Sequence, residues 1–207
     1  MLNEAELKNG ISVCLSNAEN LINDAELLKS HNRKERAYTL FQLASEEIGK
    51  ASQILNFLLF KDINDEKAFM VFLKQFRDHK LKTQSSIGFD YFVLDALKDI
   101  IRDKKQFLDT TMYEYDNLDL INNKKNYSLY TSIINNRFLA PRELISETDL
   151  NHIEFRVQTR FKIAKAMLEA ASAVAEEIRK YLVDTPIDEE KLRIKTLNEI
   201  KELINEK

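Results

Sequence analysis

Residues 7–51 read LKNGISVCLSNAENLINDAELLKSHNRKERAYTLFQLASEEIGKA, and their spacing decides the fold. Apolar side chains recur at Leu7, Ile11, Cys14, Ala18, Leu21, Ala25 and Leu28, in alternating steps of four and three, which is one narrow face of a helix. After the polar break Ser30-His31-Asn32 a second stripe runs through Ala37, Leu40, Phe41, Ala44, Ile48, Ala51, Leu55 and Leu58. Two amphipathic helices joined by so short a break form an antiparallel hairpin, each covering the apolar face of the other.

Outward from that hairpin the pattern stays helical. Asp62 to Asp65 is a break, Phe69, Phe72, Leu73 and Phe76 mark a third helix ending near Thr83, and Ser85-Ser86-Ile87-Gly88 reads as a turn. A fourth helix is expected over residues 89–112, carrying Phe92, Ala96, Ile100 and Phe107. Across residues 114–145 Asn and Tyr replace the helical period and Pro141 ends whatever precedes it, so this stretch reads as a long ordered loop. Its segment YSLYTS has the composition of a short strand, but no partner strand is evident.

Ser146-Glu-Thr-Asp is a helix start, followed by a long seam at Ile153, Val157, Ala164, Leu168, Ala171, Ala175, Ile178 and Leu182. Alanine dominates the middle of the seam, which suits the core of a bundle or a dimer interface. Thr185-Pro186-Ile187-Asp188 opens a final helix rich in Lys and Glu. The expected organisation is a helical domain over residues 1–184, with the ordered loop 114–145 inside it, and a helical appendage over residues 185–207.

Composition agrees with an all-α class. Three glycines and two prolines leave little material for hairpins or linkers, and 44% hydrophobic residues suffice for a core. The single cysteine, Cys14, excludes an intramolecular disulfide framework. The opening MLNEAELKNG lacks the basic and apolar runs of a signal peptide, and no apolar stretch reaches the roughly 18 residues a membrane span needs. A cytoplasmic protein without membrane contact is expected. A net charge of −3 gives no global footprint for nucleic acid, so any RNA contact has to be local.

Several polar residues do not fit a plain bundle. At 100° per residue Glu47 falls between Leu40 and Leu43 on one side and Ala51 and Ile54 on the other, so it should be at least partly buried. Lys50, three residues on, is placed to offset its charge. Glu46 is expected on the polar face with Gln42 and Gln53. Asn17 and Asp24 lie along one flank of the first helix, where they could meet Glu47 and Lys50 in a polar groove. His79, beside the Phe72 and Phe76 face and near Lys80 and Lys82, is the best acid or base candidate. Each also has a plain structural reading, as an intrahelical ion pair, a solvated flank or a histidine at the edge of an aromatic face. His31, His79 and His152 are dispersed and no acidic repeat forms a calcium loop, so no metal site and no cofactor is expected. Phosphate loops and nucleophile elbows are absent.

The quoted run resembles the start of the AbiV family of bacterial abortive infection proteins. The likeness joins the NA and DA pairs of the first helix to LAxEEIGKA, residues 43–51, of the second, and FRDHKLK, residues 76–82, is similar to the family's later His/Lys motif. YSLYTS followed by Pro141 looks like the family's loop before its last long helix, so the resemblance covers roughly residues 5–180. It implies a role in phage defence, a fold related to the HEPN helical domains, and a homodimer. It also carries over Asn17, Asp24, Glu46, Glu47, Lys50, His79 and Lys82 as functional positions. Many HEPN proteins are metal-independent ribonucleases with an Arg-x4-6-His motif, and this chain departs from it: Arg77 and His79 are separated by one residue, and His152 has no arginine at the required spacing.

Two functions follow as expectations. One is an abortive infection effector acting on RNA or the translation machinery, with Glu47, Lys50 and His79 catalytic and Asn17, Asp24, Glu46 and Lys82 binding. The alternative is a non-catalytic helical module that binds and blocks a phage or host protein, with a phage protein as the trigger.

Overall fold

The computed structural model describes residues 2–96 and 104–184. The hairpin is present as α1 (Glu4–Ser30) and α2 (Lys34–Phe60). Asn3 caps α1 by accepting from the Glu6 amide. The chain reverses through Asn32, whose φ of 57° is tolerated by an asparagine, while the His31 and Arg33 amides satisfy the Leu28 carbonyl at the end of α1. The apolar stripes meet as expected, with Leu7, Ile11, Leu15, Ala18 and Ala25 buried against Ala37, Phe41, Ala44, Ile48 and Ala51.

The next elements are divided differently from the expectation. α3 (Glu66–Arg77) stops at Asp78, and α4 (His79–Ala96) begins immediately after it. The reason is local: Asp78 is extended, and its carboxylate accepts from the Lys80 and Leu81 amides as an N-cap. His79 therefore opens a helix instead of closing one. Ser85-Ser86-Ile87-Gly88 is helical and not a turn, because Ser85 Oγ bonds back to the Leu81 carbonyl and Ser86 is buried against α2. Phe57 on α2 stacks on Phe72 of α3 with ring centroids 4.7 Å apart, and Phe76 extends the aromatic group. The expected stripe of Phe92, Ala96, Ile100 and Phe107 lies outside the described side chains.

Residues 114–145 are not a loop. α5 (Lys104–Asp116) runs into them, α6 (Leu118–Tyr127) follows, and β1 (Ser132–Ile134) pairs antiparallel with β2 (Arg137–Leu139). YSLYTS is not itself the strand: Tyr127 ends α6, residues 128–131 connect, and only Ser132 enters β1, whose partner follows directly. Asn135 and Asn136 both have positive φ, 50° and 60°, the conformation of a two-residue hairpin turn that suits strand twist. α7 (Pro141–Leu144) starts at Pro141, so that proline begins a helical turn as well as ending the hairpin.

α8 (Glu147–Ala173) starts where the Ser-Glu-Thr-Asp signal lies, with Ser146 and Asp149 capping each other reciprocally. The seam read as one helix is broken at Val174, after which α9 (Ala175–Asp184) continues. Ala164, Leu168 and Ala175 belong to the core, so those seam positions are filled from within the chain. The expected final helix over residues 185–207 lies outside the described residues. α2 is the central element, flanked by α1, α4 and α8. Among the described residues no helix is long and apolar enough to cross a membrane.

Candidate functional site

The face of α2 that reads as polar is an interface with α4. Gly49 makes it possible: a Cβ there would lie 1.9 Å from the Lys82 carbonyl oxygen. Only a residue without a side chain admits that approach. Around the crossing, Gln42 donates to Thr83 Oγ1, Ser45 and Ser86 share a hydrogen bond of 3.1 Å, and Gln53 donates to Ser85 Oγ.

This approach buries Glu46, which is 3% exposed. The expectation that Glu46 faces solvent is thereby corrected: the polar side chains around it match those of α4 instead of water. Its carboxylate accepts from His79 Nδ1 at 2.6 Å and from Lys125 Nζ at 2.6 Å, and Lys82 Nζ lies 3.4 Å away. Burial alone would push the Glu46 carboxyl up, but the hydrogen bonds from Lys125 and His79 hold it below the usual carboxylate range. Lys82 and Lys125 are themselves buried, whereas the His79 side chain is 59% exposed. Nδ1 is committed to Glu46, and among the described residues no hydrogen bond is made by Nε2. Lys125 Nζ also stands 3.4 Å from His79 Nδ1, so a cation borders the ring on its protein side.

Lys125 was not singled out from the sequence. It comes from α6, in the stretch read as a loop, and is fixed by the end of that helix. There Ser128 Oγ donates to the Lys125 carbonyl and shares a 2.6 Å hydrogen bond with Thr39 of α2.

Glu47 and Lys50 occupy a different side of α2. Glu47 is partly buried, as expected, and pairs with Lys50 within the helix. Their surroundings are apolar: Lys50 Nζ lies 5.5 Å from the Phe76 ring centroid, and the Cys14 thiol is pushed up to about 12 by burial and then by the Glu47 charge. Asn17 and Asp24 are exposed on α1, and no hydrogen bond or ion pair among the described residues joins either to Glu47 or Lys50. Of the seven expected positions, the structure brings together Glu46, His79 and Lys82 and leaves Glu47 with Lys50 as a separate pair. No hydrogen bond or ion pair among the described residues links His79 to Glu47 or Lys50.

A second buried polar cluster lies further along α4. Arg160 of α8, fully buried, donates from Nε to Asp90 Oδ1 at 2.7 Å and from Nη2 to Asp90 and to Glu114 Oε2, the latter at 2.6 Å. Its Nη1 reaches Ser45 Oγ at 2.8 Å. Arg156 Nη2 lies 2.7 Å from Glu114 Oε1, an ionic contact outside hydrogen-bond angles. Burial would lower Arg160, but the charges of Asp90 and Glu114 outweigh it and hold the guanidinium protonated. Burial raises the Asp90 carboxyl, against the lowering by the Arg160 charge. The sequence carries one trace of this cluster: Arg160 fills the place between Val157 and Ala164 where the seam should have an apolar residue.

Among the described residues no group of three or more His, Cys, Asp or Glu side chains is placed to hold a metal ion. A family model described as AbiV, of the HEPN class, matches residues 6–162. The chain belongs to the AbiV family. The match spans α1 to α6, the hairpin and most of α8, and it includes both polar clusters. Membership in AbiV assigns the chain to abortive infection, and its all-α architecture is HEPN-like. Searches of curated proteins and of solved structures return no match.

Proposed function

We propose that this AbiV protein is an effector of phage defence that cleaves RNA, with His79 as the acid–base group and Glu46 as the residue that orients it. The observation that supports this reading is the exposed His79 ring held at Nδ1 by a buried carboxylate, an arrangement in which Nε2 would serve as the base. Two ammonium groups against one carboxylate leave the cluster with a positive charge beside that ring, which favours phosphate. In the reaction, a ribose 2′ hydroxyl gives its proton to His79 Nε2, and its oxygen attacks the adjacent phosphorus. The bond from phosphorus to the 5′ oxygen breaks, and the departing oxygen takes a proton from solvent. The products are a 2′,3′-cyclic phosphate and a 5′ hydroxyl.

Purified protein incubated with total cellular RNA tests the reading through the variants His79→Ala, Glu46→Gln and Glu47→Gln. Cleavage should disappear with the first, fall sharply with the second and persist with the third. Negligible cleavage by wild type and all three variants would sink it, and the non-catalytic binding module would take its place. A cytoplasmic homodimer belongs to the same proposal; a mass that stays monomeric across concentrations in light scattering would remove the dimer.

A further inference from the structure

The two oxygens of the Glu46 carboxylate have different partners. Oε1 accepts from Lys125 Nζ at 2.6 Å, while Oε2 accepts from His79 Nδ1 at 2.6 Å and faces Lys82 Nζ at 3.4 Å. An ionised carboxylate only accepts hydrogen bonds, so the proton between Oε2 and the ring belongs to Nδ1. In the neutral ring this leaves the lone pair on Nε2, where the proposed reaction needs its base. The opposite tautomer also has a partner at hand: Lys125 Nζ stands 3.4 Å from Nδ1 and is able to donate to it. A ring that accepted from Lys125 would carry its proton on Nε2 and have no lone pair there.

Lys125 decides between these arrangements through the carboxylate. Its bond to Oε1 is charge-assisted and shorter than its approach to the ring, so the ammonium is engaged by Glu46 first. That bond ties Oε1 to α6 and leaves Oε2 for the two α4 groups, His79 and Lys82. Against burial, which pushes the Glu46 carboxyl up, the Lys125 bond is the foremost influence bringing it down. The lysine is in turn fixed along α2: Ser128, three residues on, shares its hydrogen bond with Thr39, and Arg36 Nη1 donates to the Leu129 carbonyl. Arg36, Thr39 and Glu46 lie on one face of α2, so α6 is registered against the same surface that presents the carboxylate.

We propose that Lys125 is a positioning residue for His79: by holding Oε1 of Glu46 it selects the Nδ1–H tautomer of the neutral ring and so keeps Nε2 as the base. The inference rests on the RNA-cleaving reading of His79 for its use in catalysis, while the tautomer itself is a property of the resting protein. A lysine present only to neutralise a buried carboxylate would behave differently. Lys82 would then serve as well, and the ring would respond alike to the loss of either cation. The geometry separates them, because Lys82 shares Oε2 with the ring and competes for it, whereas Lys125 occupies the other oxygen.

Nitrogen NMR of the full chain, isotopically labelled at histidine, tests the inference, with the His79 signals identified by their loss in His79→Ala. At a pH where the ring is neutral, wild type should carry the proton on Nδ1; a proton on Nε2 would overturn the inference before any variant is made. Lys125→Met should move the population toward Nε2–H, whereas Lys82→Met, which removes the competitor on Oε2, should leave it on Nδ1. Lys125→Arg, which keeps a cationic donor, should retain the wild-type tautomer. An unchanged tautomer in Lys125→Met, or an equal change in Lys82→Met, would overturn the role of Lys125. If Lys125→Met does not fold, Ser128→Ala takes its place, since it keeps every charge and Thr39 Oγ1 retains its bond to the Glu35 carbonyl. A smaller shift in the same direction is expected there, and its absence would overturn the inference. In RNA cleavage Lys125→Met should lower kcat by about 100-fold, near the lower end of what a positioned acid–base group contributes, with little change in KM. The expected tautomers without cleavage by wild type would keep the positioning role and discard the nuclease reading; cleavage by a ring protonated on Nε2 would do the reverse.

Discussion

Two buried polar groups sit on α4, and they differ in one respect that separates structure from chemistry. Around Arg160, two guanidinium groups face two carboxylates, Asp90 and Glu114, and all four are closed off from water. Around Glu46, two lysines face one carboxylate, and the remaining partner is a histidine that reaches the surface. The first group joins α4, α5 and α8 to Ser45 of α2, and its charges are spent on each other. The second keeps a titratable ring at the surface and an unmatched positive charge behind it. Burial of polar groups is common to both; only an opening to solvent makes one of them a candidate for reaction.

The sharpest way to break the comparison is at Arg160. Arg160→Ala strands Asp90 and Glu114 in the interior, and a loss of about 3–5 kcal/mol is expected, read as a lowered urea midpoint. Glu46→Gln comes next, since an amide still accepts a hydrogen bond but leaves both lysines without a countercharge; a loss of about 1.5–3 kcal/mol is expected. The same variant tests pH dependence. Because the folded state holds the Glu46 carboxyl below its unfolded value, its stabilisation is present at neutral pH and is lost as the pH falls through the carboxylate range. Acid unfolding of Glu46→Gln should therefore begin from a lower plateau and decline less steeply than that of wild type. A curve parallel to wild type would mean that Glu46 is not the group concerned.

Gly49→Ala should cost about 1–3 kcal/mol by forcing α2 and α4 apart, and it should reduce any His79-dependent activity along with stability. The smallest effect is expected at Glu47. Its pair with Lys50 lies within one helix, so Glu47→Gln should change the unfolding free energy by about 0.2–0.5 kcal/mol and leave activity intact. A large activity loss with Glu47→Gln would return the centre of the site to the α1 side of α2.

The first hairpin was legible in the sequence because its apolar period is unbroken within each helix, from Leu7 to Leu28 and from Ala37 to Leu58, and both faces meet within the chain. The partner of Glu46 was not, and the cause is physical. A helix surface rich in Gln, Ser, Gly and Glu reads as solvated unless the neighbouring helix is known to carry matching Thr, Ser and Lys at the same height. Gly49 and the serines of both helices were the available signal, small residues on a face too polar for an apolar seam. The boundary at Asp78 was readable as a helix cap, but the aromatic period of Phe69 to Phe76 carried the reading past it. The second strand was hidden by its length, since three residues on each side of Asn135-Asn136 leave too little alternation to count. Arg160 broke the seam of α8 in plain sight, but its place between Asp90 and Glu114 depends on contacts made 46 and 70 residues away.

Gly49 has a consequence for how such a site can vary. Where the Lys82 carbonyl fills the space of an absent Cβ, the clearance between α2 and α4 is fixed by main chain against main chain. Exchanging the side chains of residues 46, 79, 82 or 125 then alters charge, reach and proton affinity without altering that clearance. The contact works as a mechanical stop, against which the chemistry of the crossing can be rewritten one residue at a time.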